Sequence, residues 1–235
     1  MIGLGVVGLP TAEYLGGFYE VYGYDMKPRK GISFISVLNP NQVEADIFVI
    51  CVPTNQVENV CGHLNRDKLI LIESTMQIGS CKRISQSLPL LAYCPHRYWE
   101  ESPEEHGVRQ TRVLGAVNEE SLKRAKNFYE GANIPVYIVS SIEIAEASKI
   151  VENSNRFVNI AFSEEVKMIC EEIGLNFEEV RQACNTKWNV QILEAREGIG
   201  GVCLPQDIGL LSGLCGGDLL EAAVKTDEKY RTRLA

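Results

Sequence analysis

Gly3-Leu4-Gly5-Val6-Val7-Gly8 stands almost at the start of the chain and constrains its fold more than any other segment. In a G-x-G-x-x-G run the first glycine permits a tight turn and the second lets backbone approach an anionic group. The third lets a following helix pack closely on a strand, and the N-terminus of that helix attracts phosphate. Val21-Tyr22-Gly23-Tyr24-Asp25 then follows at second-strand distance and ends on an acid, the residue type that binds ribose hydroxyls. Together they read as a dinucleotide-binding unit with Gly3, Gly5, Val6, Val7, Gly8 and Asp25 as its contacts. Asp25 would repel a 2′-phosphate, which favours NAD over NADP, with the cations Lys27 and Arg29 nearby. Only Met1 and Ile2 precede the glycines, too few for a full first strand. Asp25 to Phe48 is likewise short for a helix plus a strand, so either residues are missing there or the fold is abbreviated.

Beyond this unit, short apolar runs alternate with polar, helix-like stretches. Phe48–Val52, Leu69–Ile72 and Val136–Val139 are continuously apolar, which predicts strands buried on both faces of a parallel sheet. The expected class is α/β: a Rossmann-like, doubly wound parallel sheet followed by an all-helical central domain. Ser140-Ser141-Ile142-Glu143 reads as a capping box with Ser140 as N-cap. No Pro or Gly interrupts the chain from there until Gly174, so one unusually long helix is expected. A short helix from about Phe177 to Cys184 follows, then a Gly-rich and polar tail. The boundary is placed near Ser140, with residues 1–140 as the nucleotide domain and 141–235 as the helical one.

Composition narrows the function classes. Of 235 residues, 31 are acidic and 23 basic, a net charge of −8 that argues against nucleic acid as a partner. No apolar run approaches the roughly 18 residues needed to span a membrane, and a cytoplasmic protein is expected. The eight cysteines show no paired zinc spacing, so no metal is expected and most thiols should pack as small hydrophobes.

Two constellations carry chemistry. Lys149 and Asn153 are four apart on the long helix, with Arg156 nearly in line. A Lys and an Asn on one face can polarise and hold an alcohol oxygen, although a solvated helix face has the same spacing. Gly198-Ile199-Gly200-Gly201-Val202-Cys203-Leu204-Pro205-Gln206-Asp207 places a thiol after a glycine loop with an acid four residues on. Such a thiol can be a covalent nucleophile or a buried structural cysteine.

These residues resemble the UDP-glucose/GDP-mannose dehydrogenase family. The matching motifs occur in the family's order: the glycine loop with Leu9-Pro10, Val52-Pro53-Thr54, Glu73-Ser74-Thr75, and Cys94-Pro95 followed by Arg112–Gly115. After them come Glu146-x-x-Lys149-x-x-x-Asn153-x-x-Arg156 and Gly200–Asp207. The resemblance implies that Cys203 traps an aldehyde as a thiohemiacetal and that Lys149 stabilises oxyanions. Asn153 and Asp207 position substrate or water, and Thr75 holds a catalytic water. Val52, Pro53, Thr54 and Thr75 lie beside the cofactor, while Arg97, Arg156, Arg196, Gly200 and Gly201 face substrate. A sugar C6 alcohol would pass to a carboxylate with two NAD consumed, the substrate being a nucleotide sugar.

The chain departs from the pattern at three places. His96 stands where a Glu is usual, leaving His96 or Glu100 as the hydrolytic base. Val202 and Gln206 replace the usual polar neighbours of the nucleophile and the Asp. The family's C-terminal nucleotide-binding lobe has no counterpart in this sequence, so either it is a fragment or the substrate's nucleotide is gripped differently or not at all. A two-electron β-hydroxyacid-type dehydrogenase and a non-catalytic dinucleotide module are the competing readings. The long helix, apolar on more than one stripe, is expected to mediate a homodimer.

Overall fold

A computed structural model describes residues 1–234, the side chain of Cys215 excepted. The chain divides into two compact units, Met1–Ser148 and Lys149–Ala235.

In the first unit the apolar runs become strands. Helix α1 (Gly8–Leu15) follows the glycine loop, and β1 (Tyr22–Gly23) pairs in parallel with β2 (Ile35–Ser36). Ile2 bridges both Tyr24 and Ile50 in parallel, between the two sheets. The short stretch after Asp25 holds only β2 and a single 3₁₀ turn at Pro40–Gln42. The main sheet comprises β3 (Ile47–Ile50), β4 (Leu69–Ile72), β5 (Leu91–Tyr93), β6 (Arg112–Ala116) and β7 (Val136–Ile138), in that spatial order. Pairing is parallel except between β5 and β6, where Ala92 faces Ala116 in an antiparallel step.

Alternate residues of these strands feed two cores. Phe48, Ile50, Ile70 and Ile72 pack on one face with Val57, Tyr93 and Ile142. Val49, Leu69 and Leu71 pack on the other with Ala125 and Tyr129. Burial on both faces is what a continuously apolar strand requires, and helices α2 (Thr54–Cys61), α3 (Ser80–Ser85) and α5 (Glu119–Gly131) supply the cover, with the single turn α4 (Pro103–His106) between β5 and β6. Helix α5 begins on Asn118, whose side chain accepts from Ser121 N, with Glu119 and Glu120 in the first turn where the dipole favours acids. The run at β7 departs from expectation: it is an edge strand, and Tyr137 and Ile138 are exposed. A continuous apolar run cannot by itself tell a central strand from an edge.

Helix α6 (Ile142–Glu172) is the long helix. Ser141, not Ser140, caps it: the Ser141 hydroxyl accepts from Ile144 N at 3.3 Å. Glu143 instead pairs with Lys82 at 3.1 Å, so the capping box does not form. The unit boundary at Ser148 falls inside the helix, because Ile142 and Ala145 belong to the first unit's core. Glu146, fully buried there, accepts from Gly79 N at 2.6 Å and Cys81 N at 2.8 Å. At its far end Gly174 takes a positive φ of 74° and Leu175 N bonds back to Cys170 O, a left-handed stop.

In the second unit α7 (Phe177–Asn185) is capped by Asn176. The Gly-rich tail holds more helix than its composition suggested: α8 (Cys203–Cys215) and α9 (Asp218–Leu234). Phe157, Ala161, Ile199, Ile208 and Ala223 form this unit's core. No helix among the described residues is long and apolar enough to cross a membrane.

Candidate active site

The glycine loop leaves Ile2 and enters α1. Gly3 adopts φ +91°, and a Cβ there would lie 2.4 Å from Cys51 O; one at Gly8 would lie 1.9 Å from Gly3 O. These two positions are closed to any side chain by the strand and by the loop itself. At Gly5, in contrast, a Cβ would meet no heavy atom within 4 Å, so the loop is packed inside and open outside. Val6 is exposed and Val7 is the N-cap of α1, offering no side-chain acceptor to the first turn. Asp25 accepts from Leu4 N through Oδ2 at 2.8 Å and from Lys27 N through Oδ1 at 2.9 Å. Each carboxylate oxygen retains a lone pair for a ribose hydroxyl. A dinucleotide therefore fits the residues present. Val6, Val7 and Gly8 N–H groups would hold the pyrophosphate, and Asp25 the ribose.

The turns after β3 and β4 are tied together beside this loop. The Thr54 hydroxyl donates to Thr75 O at 2.9 Å, and Ser74 donates to Val52 O at 2.6 Å. Pro53 is exposed between them, as the N-cap of α2. The turn after β5 carries half-buried His96 and Arg97. His96 N donates to Glu73 O at 3.5 Å, and Arg97 Nη1 to Thr111 O at 2.7 Å. Glu100 lies farther along the same loop and is exposed. These turns follow the carboxyl ends of strands, where open α/β sheets bind ligands. A cavity of about 440 Å³ is lined by Val21, Tyr22, Ile47 and Phe48, and by Ile2 and Tyr24 next to the glycine loop and Asp25; none of the turn residues lines it.

The second unit gathers a separate group. Lys149 and Asn153 lie one turn apart on α6, and Asn153 Nδ2 donates to Asp207 Oδ2 of α8 at 2.5 Å. Asp207 is fully buried, and its other oxygen, Oδ1, has no hydrogen-bond partner among the described residues. Burial raises its pKa, opposed by the Asn153 hydrogen bond and the Lys149 charge. Cys203, the first residue of α8, is exposed one turn before Asp207. Before it, Gly201 holds a φ of +75°, and neither Gly200 nor Gly201 has a heavy atom within 4 Å of a built Cβ. Val202 is exposed. Backbone N–H groups of a helix start beside an accessible thiol suit a developing oxyanion. Arg156 is exposed one turn beyond Asn153, and Arg196 is exposed with Nε 3.1 Å from Glu194.

The described cysteines are free thiols. Burial pushes the Cys61 and Cys94 thiols up to about 12, which removes them from nucleophilic chemistry at neutral pH. Cys203 and Cys184 are the exposed ones.

Sequence reasoning assigned no role to Glu73, Arg112 or Tyr129, which meet in a buried polar cluster under the first unit's turns. Its linear signal was an acid set flush against the apolar Leu69–Ile72 run and an Arg opening Val113–Leu114. It also missed Asp227, which accepts from Ile199 N at 2.7 Å and so anchors the glycine loop's start.

Residues 143–227 match the UDP-glucose/GDP-mannose dehydrogenase family, central domain. The chain is 32% identical over 254 residues to a UDP-N-acetyl-D-mannosamine dehydrogenase of Methanocaldococcus jannaschii, covering 88% of this chain and 59% of that protein. It is 29% identical to an NDP-N-acetyl-D-galactosaminuronic acid dehydrogenase of Ralstonia nicotianae, covering 88% of this chain and 62% of that protein. The structure of a UDP-D-ManNAc dehydrogenase from Pyrococcus horikoshii superposes with a TM-score of 0.86 at 25% identity, covering 97% of this chain and 68% of that one. The chain thus spans about three fifths of the length of the curated relatives it matches. Residues 143–227 thus match that family's central domain, and in motif order and architecture the rest of the chain is similar to the UDP-glucose/GDP-mannose dehydrogenases.

Proposed function

We propose that this chain carries the cofactor-binding and catalytic machinery of an NAD-dependent nucleotide-sugar 6-dehydrogenase. The observation that carries the reading is the Lys149–Asn153–Asp207 group, with Asp207 one helical turn from the exposed Cys203. Its substrate class is a UDP-linked N-acetylhexosamine, by likeness to the M. jannaschii relative.

Bound NAD would supply the hydride acceptor for each oxidation. The chain's own residues do the rest. Lys149 stabilises the alkoxide that forms as the sugar C6 hydroxyl loses its proton and, with the first hydride gone, the aldehyde oxygen. Cys203 Sγ then adds to the aldehyde carbon, forming a C–S bond and converting C=O to a thiohemiacetal hydroxyl. As the hydroxyl proton passes to water and the second hydride leaves that carbon for the hydride acceptor, a thioester is left on Cys203. Water attacks the acyl carbon, the C–S bond breaks, and carboxylate leaves while the thiol is regenerated. Asp207 Oδ1, buried and without a hydrogen-bond partner among the described residues, would accept a hydrogen bond from the substrate hydroxyl or that water, with Asn153 fixing the carboxylate plane. Thr75 would hold the water, and His96 or Glu100 would take its proton. Arg97, Arg156, Arg196, Gly200 and Gly201 are the proposed substrate contacts, and the assembly is a homodimer through α6.

The test is Cys203→Ala with UDP-N-acetylmannosamine and NAD. Carboxylate formation should fall by at least three orders of magnitude while NAD affinity holds. Carboxylate at the parent rate would remove Cys203 from the mechanism. Asp25 predicts tighter binding of NAD than of NADP, read by fluorescence titration; the reverse order would move the ribose contact to Lys27 and Arg29.

A further inference from the structure

Glu73 sits immediately beyond β4 and Arg112 opens β6; both side chains are buried. Arg112 Nη1 lies 2.6 Å from Glu73 Oε1, and the Tyr129 hydroxyl donates to the same oxygen at 2.9 Å. The Cys51 thiol donates to Oε2 at 3.6 Å. The Arg112 guanidinium stands 5.4 Å from the centroid of the Tyr129 ring, and Nη2 reaches Val108 O at 3.4 Å. Burial, the largest single cause, lowers the Arg112 pKa, but Glu73, Tyr129, Cys94 and Cys51 together outweigh it, so the net shift is upward and Arg112 stays charged. Burial first and Glu73 second push the Tyr129 hydroxyl and the Cys51 thiol well above their ordinary values, which keeps both as donors.

Stability does not explain such a cluster. Replacing a buried ion pair with apolar groups of similar volume is often neutral or stabilising, by about 1–4 kcal/mol. Its location does explain it. Glu73 N donates to Ile50 O at 2.9 Å, and Glu73 O accepts from His96 N at 3.5 Å. The next residue, Ser74, bonds Val52 O, and the one after, Thr75, accepts from Thr54. One carboxylate, clamped from the end of β3, from β6 and from α5, therefore lies directly under the turns that carry Thr54, Thr75 and His96.

We propose that Glu73 and Arg112, with Tyr129, are positioning residues that fix these three turns in the geometry the dinucleotide requires, a role resting on the reading of those turns as the cofactor site. The Tyr129 phenol directs the carboxylate through a hydrogen bond of fixed direction, and the Arg112 charge, itself tethered to Val108 O, holds it as an ion pair, which apolar packing cannot do. None of the three side chains is assigned a contact with the reacting atoms.

The test pairs hydrogen exchange with NAD titration on two variants of the full chain. In Glu73→Leu/Arg112→Met the melting temperature should match or exceed the parent's. The Thr54, Ser74, Thr75 and Met76 amides should exchange at least tenfold faster, and NAD should bind at least fivefold more weakly. A folded double variant with parental exchange at those amides overturns the proposal. If the double variant does not fold, Tyr129→Phe decides, since it removes one donor and keeps the ring. Its expected signature is exchange at least threefold faster at the same amides and unchanged in the Lys149–Ala235 unit; parental exchange there overturns the proposal. A parent chain that binds no NAD would instead sink the reading of the turns as a cofactor site, while the exchange measurement still judges the positioning role.

Discussion

Asp207 is the residue at which the second unit's chemistry converges. It is buried, bonded through one oxygen to Asn153 and without a hydrogen-bond partner at the other among the described residues, with its pKa raised mainly by burial. Asp207→Asn removes the charge at nearly constant shape. The expected result is kcat down by about 10²–10³, the scale of losing one charge-stabilising or proton-handling group, with the melting temperature unchanged or higher. A kcat within threefold of the parent would remove Asp207 from the reaction. Glu164 shows the same physics away from the proposed chemistry. Both its oxygens are buried without partners among the described residues, and burial first, then Asp227, push its pKa up to about 7. A carboxyl raised in the folded state binds more protons folded than unfolded, so stability falls as pH rises from the unfolded value toward 7 and is level beyond. Glu164→Gln should therefore raise the melting temperature at pH 8, by the equivalent of up to about 3 kcal/mol. At pH 5 the gain should shrink to under about 1 kcal/mol; an equal gain at both pH values would contradict the assignment. Cys203, Lys149, Asn153 and Asp207 were legible in the sequence because each sits at a fixed offset within one linear motif. Glu73, Arg112 and Tyr129 were not, because they come from three different elements and meet only when the sheet assembles.

Among elements, α6 was the most legible and also the source of the clearest misreadings. Its length followed from an unbroken stretch ending at Gly174, a residue whose positive φ closes the helix. Its start was misplaced by one residue, because Glu143 three residues on pointed to Ser140, whereas Glu143 pairs with Lys82 and the Ser141 hydroxyl meets Ile144 N. β7 was read as buried because an apolar run carries no information about which strand lies at the edge. The α8 helix was hidden by its own Gly and Pro content, which composition reads as loop. Along α6, Ile150, Phe157 and Ala161 are buried, whereas Ile144, Val151, Phe162, Ile169 and Ile173 are exposed and recur on one side of the helix. An apolar stripe of that length on a helix needs a partner. The proposed partner is the same helix of a second copy. Light scattering should give a mass near twice 26.1 kDa for the parent and near that single-chain mass for Phe162→Glu/Ile169→Glu. A monomeric parent at micromolar concentration, or a dimeric variant, would defeat the claim.

At the scale of the molecule, the alternation of apolar runs announced the α/β class, and the glycine loop with Asp25 pointed to the end proposed here for the dinucleotide. What the sequence could not show was that Ile2 bridges both Tyr24 and Ile50, or that β5 and β6 run antiparallel. Pairing direction depends on connections, not on strand composition. The two units divide the labour the mechanism needs: strand-end turns and a glycine loop suited to a dinucleotide in the first, and a Lys–Asn–Asp group with an accessible thiol in the second. That thiol separates a four-electron oxidation, which needs a covalent acyl stage, from a two-electron one, which does not. The direct measurement is the stoichiometry of NADH formed per nucleotide sugar consumed, with the product identified by mass. Two NADH per sugar and a carboxylate product is the predicted result; one NADH per sugar, with a carbonyl product released, would contradict it.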